Sequence, residues 1–315
     1  MRTLVVGGAG FIGSHLCDAL IANGNFVISL DNLSRGCMAN IEHLIDNKNF
    51  IFLEKDAGCS INMAEVFEQF NPEYIYHLAA NSDIQASAKD PQVEYDNTMR
   101  TTWVLLDSMR KFGVKKMFFA STSAVYGQQC GIPLNEDTTL LMPISYYGSA
   151  KMASEAYISA FAHMNDLSVL VFRFPNVVGT RLTHGVIYDF IKKLRDNPNQ
   201  LEVLGDGTQS KPYMHVSDLI KGIIQLSDTP QGVSNYNIGV DSETNVKHIA
   251  NIVCDIMNLK NVQIKYGTES IGWKGDVPRF EYDLNKVAAT GWRASMTSDE
   301  AVLRTVKEVL AICRA

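Results

Sequence analysis

Near its amino terminus the chain reads Leu4-Val5-Val6-Gly7-Gly8-Ala9-Gly10-Phe11-Ile12-Gly13. The apolar residues predict a buried strand, the glycines a tight turn, and the residues that follow a helix. Gly7, Gly10 and Gly13 lack the Cβ atoms that would keep the backbone from a pyrophosphate, and the helix start offers unpaired N–H groups. The stretch predicts a dinucleotide-phosphate site, with an ordinary strand-to-helix turn as the alternative.

An acidic residue follows at about the 20-residue distance that such a site requires. The second apolar strand, Phe26–Leu30, ends at Asp31, whose carboxylate would accept hydrogen bonds from both ribose hydroxyls and repel a 2′-phosphate. This favours NAD over NADP as the cofactor. Arg35, close behind, leaves NADP open because a guanidinium would attract that phosphate.

The length and composition limit the number of domains and the classes of partner that we expect. With 315 residues and 46% hydrophobic content, the chain is long enough for one large domain or two intimate ones. The net charge is −6 and no basic patch with interleaved aromatic residues occurs, so we expect no nucleic-acid partner. No apolar run approaches the ~18 residues of a membrane span and no leader precedes the first strand, so we expect a cytoplasmic protein.

The cysteines are scattered, without a C-x-x-C pair or the spacing of metal ligands. We therefore expect reduced thiols, mostly buried, and no metal site. The six are Cys17, Cys37, Cys59, Cys130, Cys254 and Cys313.

Strands and helices alternate over residues 1–175, which predicts an α/β fold with a doubly wound parallel sheet of the Rossmann type. Long helices are predicted over Val93–Phe112 and Tyr146–Met164. Beyond Pro175 strands and helices no longer alternate regularly, and residues typical of turns become frequent. We expect residues 176–315 to form a smaller domain, interleaved with the first, that closes over a substrate.

Parallel strands place their carboxyl ends at one sheet edge, where ligands bind. Asp56, just past the third strand, would reach an adenine amine, although a loop aspartate is an equally good interpretation. Ala79 and Ala80 follow the fourth strand, and their small side chains let the backbone approach a cofactor. His77, within that strand, is predicted to be a packed core histidine.

A phenol and an ammonium share one face of the helix that begins near Tyr146. Tyr147 and Lys151 are four residues apart, and Thr122 ends the fifth strand. Tyr147 acts as a base at neutral pH only if nearby positive charge stabilises its phenolate, and Lys151 and the NAD⁺ ring would supply that charge. Thr122 would hold the substrate hydroxyl. The alternative is an exposed helix pair without a catalytic role.

Seven motifs together resemble an extended short-chain dehydrogenase/reductase, of the kind that includes the nucleotide-sugar epimerases and dehydratases. They cover nearly the whole chain: residues 7–14, Asp31-Asn32, residues 77–80, Asn97, residues 121–127, residues 147–151 and residues 173–179.

The resemblance implies a nucleotide-diphosphate sugar as substrate and assigns roles by position. Thr122, Tyr147 and Lys151 would be the catalytic triad. The substrate would contact Ser123 and Asn176, the latter near the diphosphate. The NAD site would comprise Gly7, Gly10, Phe11, Ile12, Gly13, Asp31, Asn32, Asp56, Ala57, Leu78, Ala79, Ala80, Asn97, Tyr147, Lys151 and Phe174.

The residues after Thr122 narrow the chemistry. Family members that dehydrate a sugar carry Asp-Glu at the positions of Ser123 and Ala124, because loss of the 6-hydroxyl needs a proton donor. Relatives that epimerise C3 or C5 carry a cysteine at the position of Ala124. Redox chemistry at C4 remains, either a 4-epimerase with a transient 4-ketosugar or a 4-dehydrogenase, for example on a GDP-heptose. A non-catalytic NAD-binding sensor is a third hypothesis.

The carboxyl half departs from the epimerase pattern, in which two arginines bind the diphosphate. Those positions read Lys211-Pro212 and Trp273-Lys274, and a lysine lacks the bidentate fork of arginine. We expect Lys211, with Arg279 or Arg181, to bind the diphosphate. The nucleotide base and the sugar stay open.

By the same resemblance the two long helices would pair across a two-fold axis. The expected assembly is a homodimer held by a four-helix bundle.

Overall fold

The computed structural model describes residues 1–81, 83–129, 131–273 and 275–312. Its elements are, in chain order, β1 (Arg2–Val6), α1 (Phe11–Ala22), β2 (Phe26–Asp31), β3 (Phe50–Glu54), α2 (Ser60–Phe70), β4 (Tyr74–His77), α3 (Ile84–Lys89), α4 (Gln92–Glu94), α5 (Thr101–Phe112), β5 (Lys116–Thr122), α6 (Tyr146–Asn165), β6 (Ser168–Phe174), β7 (Asn176–Val178), α7 (Val186–Asp196), β8 (Gln200–Val203), β9 (Ser210–Lys211), β10 (Tyr213–His215), α8 (Val216–Gln225), β11 (Gly232–Asn237), β12 (Thr244–Asn245), α9 (Val246–Ile256), β13 (Gln263–Tyr266), α10 (Asn285–Ala288) and α11 (Ser298–Ile312).

A seven-stranded sheet in the order β11-β6-β5-β4-β1-β2-β3 forms the centre of the amino-terminal part. The ladders β1–β2, β1–β4, β2–β3 and β4–β5 are parallel. Strand order reverses between β1 and β4, so the carboxyl ends of these two strands flank the point at which Rossmann-type sheets bind their ligands. The predicted Rossmann-type fold is confirmed, and β11 is an edge strand that the sequence analysis missed.

Both faces of this sheet are buried. Side chains alternate between the two faces along each strand, and successive residues are buried. On one face Leu4, Ile28 and Met117 belong to a core that includes apolar residues of α2, α5 and α6. On the opposite face Val5 and Tyr76 are equally buried. Each large apolar side chain removed from water stabilises the fold by about 1.5–3 kcal/mol, so the strand positions are fixed by burial on two sides.

The chain divides into two compact units. The first comprises residues 1–127, 139–173 and 220–236, and the second comprises residues 128–138, 174–219 and 237–315. In the second unit β7 pairs with β10 and β8 with β13, both in parallel, and β9 pairs with β12 in antiparallel. Its core is built by α7, α9 and α11 packing on β8 and β10. That one unit binds the cofactor and the other the sugar nucleotide stays a prediction.

The helix predicted over residues 93–112 is not a continuous α-helix. A π-helical turn, Tyr95–Arg100, separates α4 from α5. Two threonine hydroxyls bond to backbone carbonyls in this region: Thr101 Oγ1 donates to Asp96 O at 3.2 Å and Thr102 Oγ1 donates to Thr98 O at 2.8 Å. Such bonds compete with the regular helical pattern, which apolar periodicity does not register.

Among the described residues Cys17, Cys37, Cys59 and Cys254 form no disulfide bond, and Cys17 and Cys254 are buried whereas Cys37 is exposed. Cys130 and Cys313 lie outside the described residues. Within the described ranges no three His, Cys, Asp or Glu side chains come close enough to hold a metal ion. No helix in that part of the chain has the length and apolar character to cross a membrane.

Candidate active site

The glycine turn between β1 and α1 is closely packed. Gly7 has φ +88°, and a Cβ there would lie 2.7 Å from Ala79 N, in the segment after β4. A Cβ on Gly13 would lie 2.0 Å from Gly7 O. Gly10 is the N-cap of α1 and has no side chain to accept from the first N–H groups, which stay available at the positive end of the helix. The turn therefore fits an anion such as a pyrophosphate.

Asp31 lies at the end of β2, beside this turn. Its Oδ2 accepts from Ala9 N at 3.0 Å and its Oδ1 accepts from Leu33 N at 2.9 Å, and both oxygens keep lone pairs for further donors. Burial raises the pKa of Asp31, and the Leu33 and Ala9 N–H groups lower it. A Cβ on Gly36 would lie 2.7 Å from Asp31 Oδ1, so the loop after β2 closes over the carboxylate.

The Arg35 guanidinium, which could bind the 2′-phosphate of NADP, already has other partners. Its guanidinium NH2 lies 3.1 Å from Asp83 Oδ2 and 3.5 Å from Asn81 Oδ1. A guanidinium paired with a carboxylate is a weaker attraction for a 2′-phosphate, and the Asp31 carboxylate repels that phosphate. The arrangement of Asp31 and Arg35 is thus the one that suits NAD.

The remaining cofactor candidates of the first unit lie around the same sheet edge. Leu78 N and Ala79 N both donate to Val6 O, at 2.9 and 2.8 Å, which joins the segment after β4 to the end of β1. Asp56 Oδ1 accepts from Gly58 N at 2.8 Å. The others are half-buried Phe11, Ile12, Ala80 and Asn97, buried Ala57 and exposed Asn32.

His77 is a core residue, as predicted. It is fully buried in β4, and its Nε2 lies 2.9 Å from Thr102 Oγ1. Burial and the nearby charge of Lys151 lower the pKa of His77 to about 3. The imidazole is therefore neutral at physiological pH and supplies no base.

Thr122, Tyr147 and Lys151 come together at the carboxyl end of β5. Helix α6 begins at Tyr146, capped by Ser145, whose Oγ accepts from Gly148 N at 3.1 Å. The Tyr147 and Thr122 side chains share a hydrogen bond. Lys151 is 2% exposed, and its Nζ donates to the carbonyl oxygen of Ala120 in β5 at 2.6 Å. The arrangement places a phenol, a hydroxyl and an ammonium in one cluster.

The electrostatics of this cluster include a carboxylate that the sequence analysis missed. Burial raises the pKa of Tyr147, the charge of Glu94 raises it further, and the hydrogen bond with Thr122 lowers it. Burial lowers the pKa of Lys151 to about 8, whereas Glu94 and Glu155 act to raise it. Tyr147 is thus a neutral phenol here, and Glu94 opposes the activation that Lys151 was expected to supply. The sequence pattern that could have identified Glu94 is the four-residue spacing of Glu94, Thr98 and Thr102.

A buried ion pair fixes α6 one turn beyond Lys151. Arg173 of β6 donates to Glu155 through Nε at 3.1 Å and through NH2 at 2.6 Å. Arg173 NH1 donates to Tyr126 Oη at 2.9 Å, and Ser121 Oγ donates to Glu155 Oε1. The network ties α6 to β5 and β6, and this tie holds Tyr147 and Lys151 at the strand end.

The substrate candidates of the second unit carry acidic partners. Lys211 Nζ lies 2.5 Å from Asp276 Oδ1 and 5.3 Å from the centre of the Trp273 ring. Exposed Arg279 pairs with Glu243 at 2.5 Å. Asn176 is exposed, and in the first unit Ser123 is half-buried, whereas Phe174, which is predicted to bind the cofactor and not the substrate, is half-buried. Lys274 lies outside the described residues. The roles of these substrate candidates stay predictions.

Comparison with known proteins places the chain in a family. A model described as the NAD dependent epimerase/dehydratase family matches residues 3–239. A putative UDP-glucose 4-epimerase of Methanocaldococcus jannaschii is 32% identical over 311 residues, with 96% of each chain covered. The chain belongs to the NAD-dependent epimerase/dehydratase family.

Solved structures of epimerase/dehydratase type share the fold over its whole length. The UDP-glucose 4-epimerase of Thermotoga maritima with UDP-glucose has a TM-score of 0.90 at 31% identity, with 100% of both chains covered. The UDP-glucuronic acid 4-epimerase of Bacillus cereus, in complex with UDP-glucuronic acid and NAD, has a TM-score of 0.88 at 25% identity, covering 99% of this chain and 100% of that one. The glycine turn and Asp31 fit the NAD on which this epimerase/dehydratase family depends.

Proposed function

We propose that this protein is a nucleotide-sugar 4-epimerase that keeps its NAD bound through the catalytic cycle. The observation that supports this best is the cluster of Thr122, Tyr147 and Lys151 at the end of β5, in the same unit as the glycine turn and Asp31. A scaffold without catalysis would not need an ammonium, 2% exposed, beside a half-buried phenol, since burying charge is costly.

The residues that would hold the cofactor divide by the part they bind. The glycine turn and the start of α1 would bind the pyrophosphate, and Asp31 the adenosine ribose. Lys151 and the segment Leu78–Ala80 would lie at the nicotinamide end. When bound, NAD supplies a hydride acceptor, and afterwards a hydride donor, at C4 of the sugar.

Tyr147 and Thr122 would handle the proton of the 4-hydroxyl. Thr122 Oγ1 accepts from Ala124 N at 3.2 Å, which orients its hydroxyl. Tyr147 takes the proton from the sugar and returns it after the 4-ketosugar has turned within the site. Lys151 stabilises the transient phenolate, held for that task by the carbonyl of Ala120.

The neighbours of Thr122 support simple redox chemistry at C4. Ser123 and Ala124 begin the 3-10 turn after β5 and provide neither a carboxylic acid for loss of water nor a thiol for proton transfer at C3 or C5. Among 4-epimerases, the relatives named above act on UDP-glucose and bind UDP-glucuronic acid. We propose a UDP-linked hexose or hexuronate as the substrate.

The test is to incubate the purified protein with UDP- and GDP-linked hexoses, hexuronates and heptoses and to separate the products by chromatography with mass detection. A new peak of unchanged mass supports the 4-epimerase and identifies its substrate. A product lighter by two hydrogens, with bound cofactor appearing as NADH, would establish a 4-dehydrogenase instead. Bound NAD with no product from any sugar would favour the non-catalytic sensor.

A homodimer is the second part of the proposal. Trp103 of α5 is 45% exposed and packs against Tyr157 and Phe161 of α6, with ring centres 5.5 and 5.4 Å apart. Tyr157 is itself exposed, so α5 and α6 share an exposed aromatic surface, and aromatic residues are enriched at protein interfaces. We propose that the same helices of a second copy cover it in a four-helix bundle.

A further inference from the structure

Glu94, the last residue of α4, is a buried carboxylate that forms no ion pair with the described residues. It is 2% exposed. Its Oε1 accepts from Asn81 Nδ2 at 2.8 Å and its Oε2 accepts from Thr98 Oγ1 at 2.9 Å. In the described part of the chain these two neutral side chains are its hydrogen-bond partners. Burying an ion with neutral partners is expensive, so the position calls for an explanation.

The hydrogen-bond pattern around Glu94 is that of an ionised carboxylate. An amide nitrogen can only donate, so Glu94 Oε1 accepts from Asn81. Thr98 Oγ1 accepts from Asn81 N at 3.2 Å and donates its own proton to Glu94 Oε2 at 2.9 Å. Both oxygens of Glu94 are therefore acceptors, and the negative charge is held in place.

The charge of Glu94 acts on the catalytic cluster. Helix α6 packs against α4 and against the π-helical turn. Glu94 interacts electrostatically with both Tyr147 and Lys151. Within the described residues Glu155 also raises the pKa of Lys151, and His77, on which the charge of Lys151 acts, is neutral. Glu155 is already neutralised by Arg173, so Glu94 is the carboxylate whose field is least compensated.

We propose that Glu94 determines which redox form of the cofactor this site prefers. Its fixed negative charge makes the site bind NAD⁺ in preference to NADH. The inference rests on the proposed function for placing the nicotinamide end at Tyr147 and Lys151. The oxidised ring carries a positive charge that the reduced ring lacks, so a nearby carboxylate stabilises the two forms unequally. An epimerase benefits because a resting enzyme that holds NADH cannot begin the next cycle.

The experiment incubates NAD⁺-loaded and NADH-loaded protein with equimolar NAD⁺ and NADH until both reach the same bound ratio, removes free cofactor, and measures this ratio by chromatography. No sugar is present, so the ratio is independent of epimerase activity. The wild-type protein should retain mostly NAD⁺. An equal or reversed preference in the wild type overturns the proposal without any variant.

The variants separate the charge from the shape. Glu94→Gln keeps the shape without the charge, and we expect the bound ratio to move about tenfold toward NADH, the order of one charge interaction across a partly buried site. Glu94→Met, a second way to remove the charge should the first variant not fold, should give the same shift. Glu94→Asp keeps the charge and should retain most of the preference. Asp96→Asn removes a half-buried charge, paired with Arg100, from the adjoining turn and is the control, with an unchanged ratio.

A merely structural role would weaken the binding of both forms equally and leave the ratio within twofold of wild type, and that result overturns the proposal. Failure of the proposed function looks different. A protein that epimerises no sugar but shows the shifted ratio refutes the epimerase and leaves the role of Glu94 standing. An active epimerase whose bound ratio does not change in Glu94→Gln would support the proposed function and refute the proposed role of Glu94.

Discussion

Lys151 Nζ donates a 2.6 Å hydrogen bond to the carbonyl oxygen of Ala120, so the ammonium of α6 is bound to the backbone of β5. The same group lies 4.7 Å from the centre of the Phe119 ring, which stabilises a cation further. Burial nevertheless lowers the pKa of Lys151 to about 8. The catalytic cation of the proposed mechanism is thus poised close to physiological pH.

The pKa of Lys151 predicts the pH profile of the proposed epimerase. As the pH rises, the fraction of Tyr147 phenolate grows, whereas the Lys151 cation is lost above about pH 8. We expect kcat/KM to rise with pH and to level off near pH 8, because above it the two changes offset each other. The control is Lys151→Arg, whose cation does not titrate, and its profile should keep rising. A wild-type profile that rises unbroken to pH 10 would contradict this role of Lys151.

Tyr147→Phe should lower the rate of epimerisation by about a hundredfold or more, the range for loss of a general base. The content of bound NAD should not change, because the ring that packs at the site remains. Activity by product chromatography and cofactor by absorbance after denaturation measure the two. Tyr146→Phe removes the hydroxyl of the adjacent, exposed tyrosine and should retain full activity. Equal activity of both variants would exclude Tyr147 as the base.

Arg173→Met should destabilise the protein by about 3–5 kcal/mol, because it leaves Glu155 buried without its cation. Urea unfolding measures the loss. The matched control is Arg110→Met, which breaks an exposed pair with Asp107 and should cost about 0–1 kcal/mol. Similar costs for the two variants would mean that the Glu155–Arg173 pair does not anchor α6.

Trp103→Glu should turn the proposed dimer into a monomer, since a charge at the centre of an apolar interface is left desolvated. Sedimentation velocity at micromolar concentration distinguishes the two states. Leu303→Glu places the same charge at an exposed apolar position of α11, outside the aromatic surface, and should leave the dimer intact. A monomeric wild-type protein at this concentration refutes the four-helix-bundle assembly.

Arg279→Ala should raise the KM of the sugar nucleotide about tenfold with little change in kcat, the size expected when a charged contact to the diphosphate is lost. The guanidinium is exposed and would have to exchange Glu243 for phosphate. Arg293→Ala, an exposed arginine in the same unit, is the control and should not alter the KM. An unchanged KM in Arg279→Ala removes that residue from the substrate site.

The sequence by itself determined the features that depend on neighbours along the chain. The glycine turn, Asp31 at the end of β2 and the four-residue spacing of Tyr147 and Lys151 follow from local periodicity, which fixes how a strand or a helix presents its side chains. The alternation of strands and helices then allowed few topologies besides the parallel sheet that is present.

Only the tertiary structure decided which distant side chains meet. The placement of β11 beside β6, the pairing of Glu155 with Arg173 and of Lys211 with Asp276, and the position of Glu94 near Tyr147 join residues far apart in sequence. Local periodicity contains no record of such contacts. They are set when apolar surfaces pack and the polar groups buried with them must find partners, as the Glu94 carboxylate does in Asn81 and Thr98.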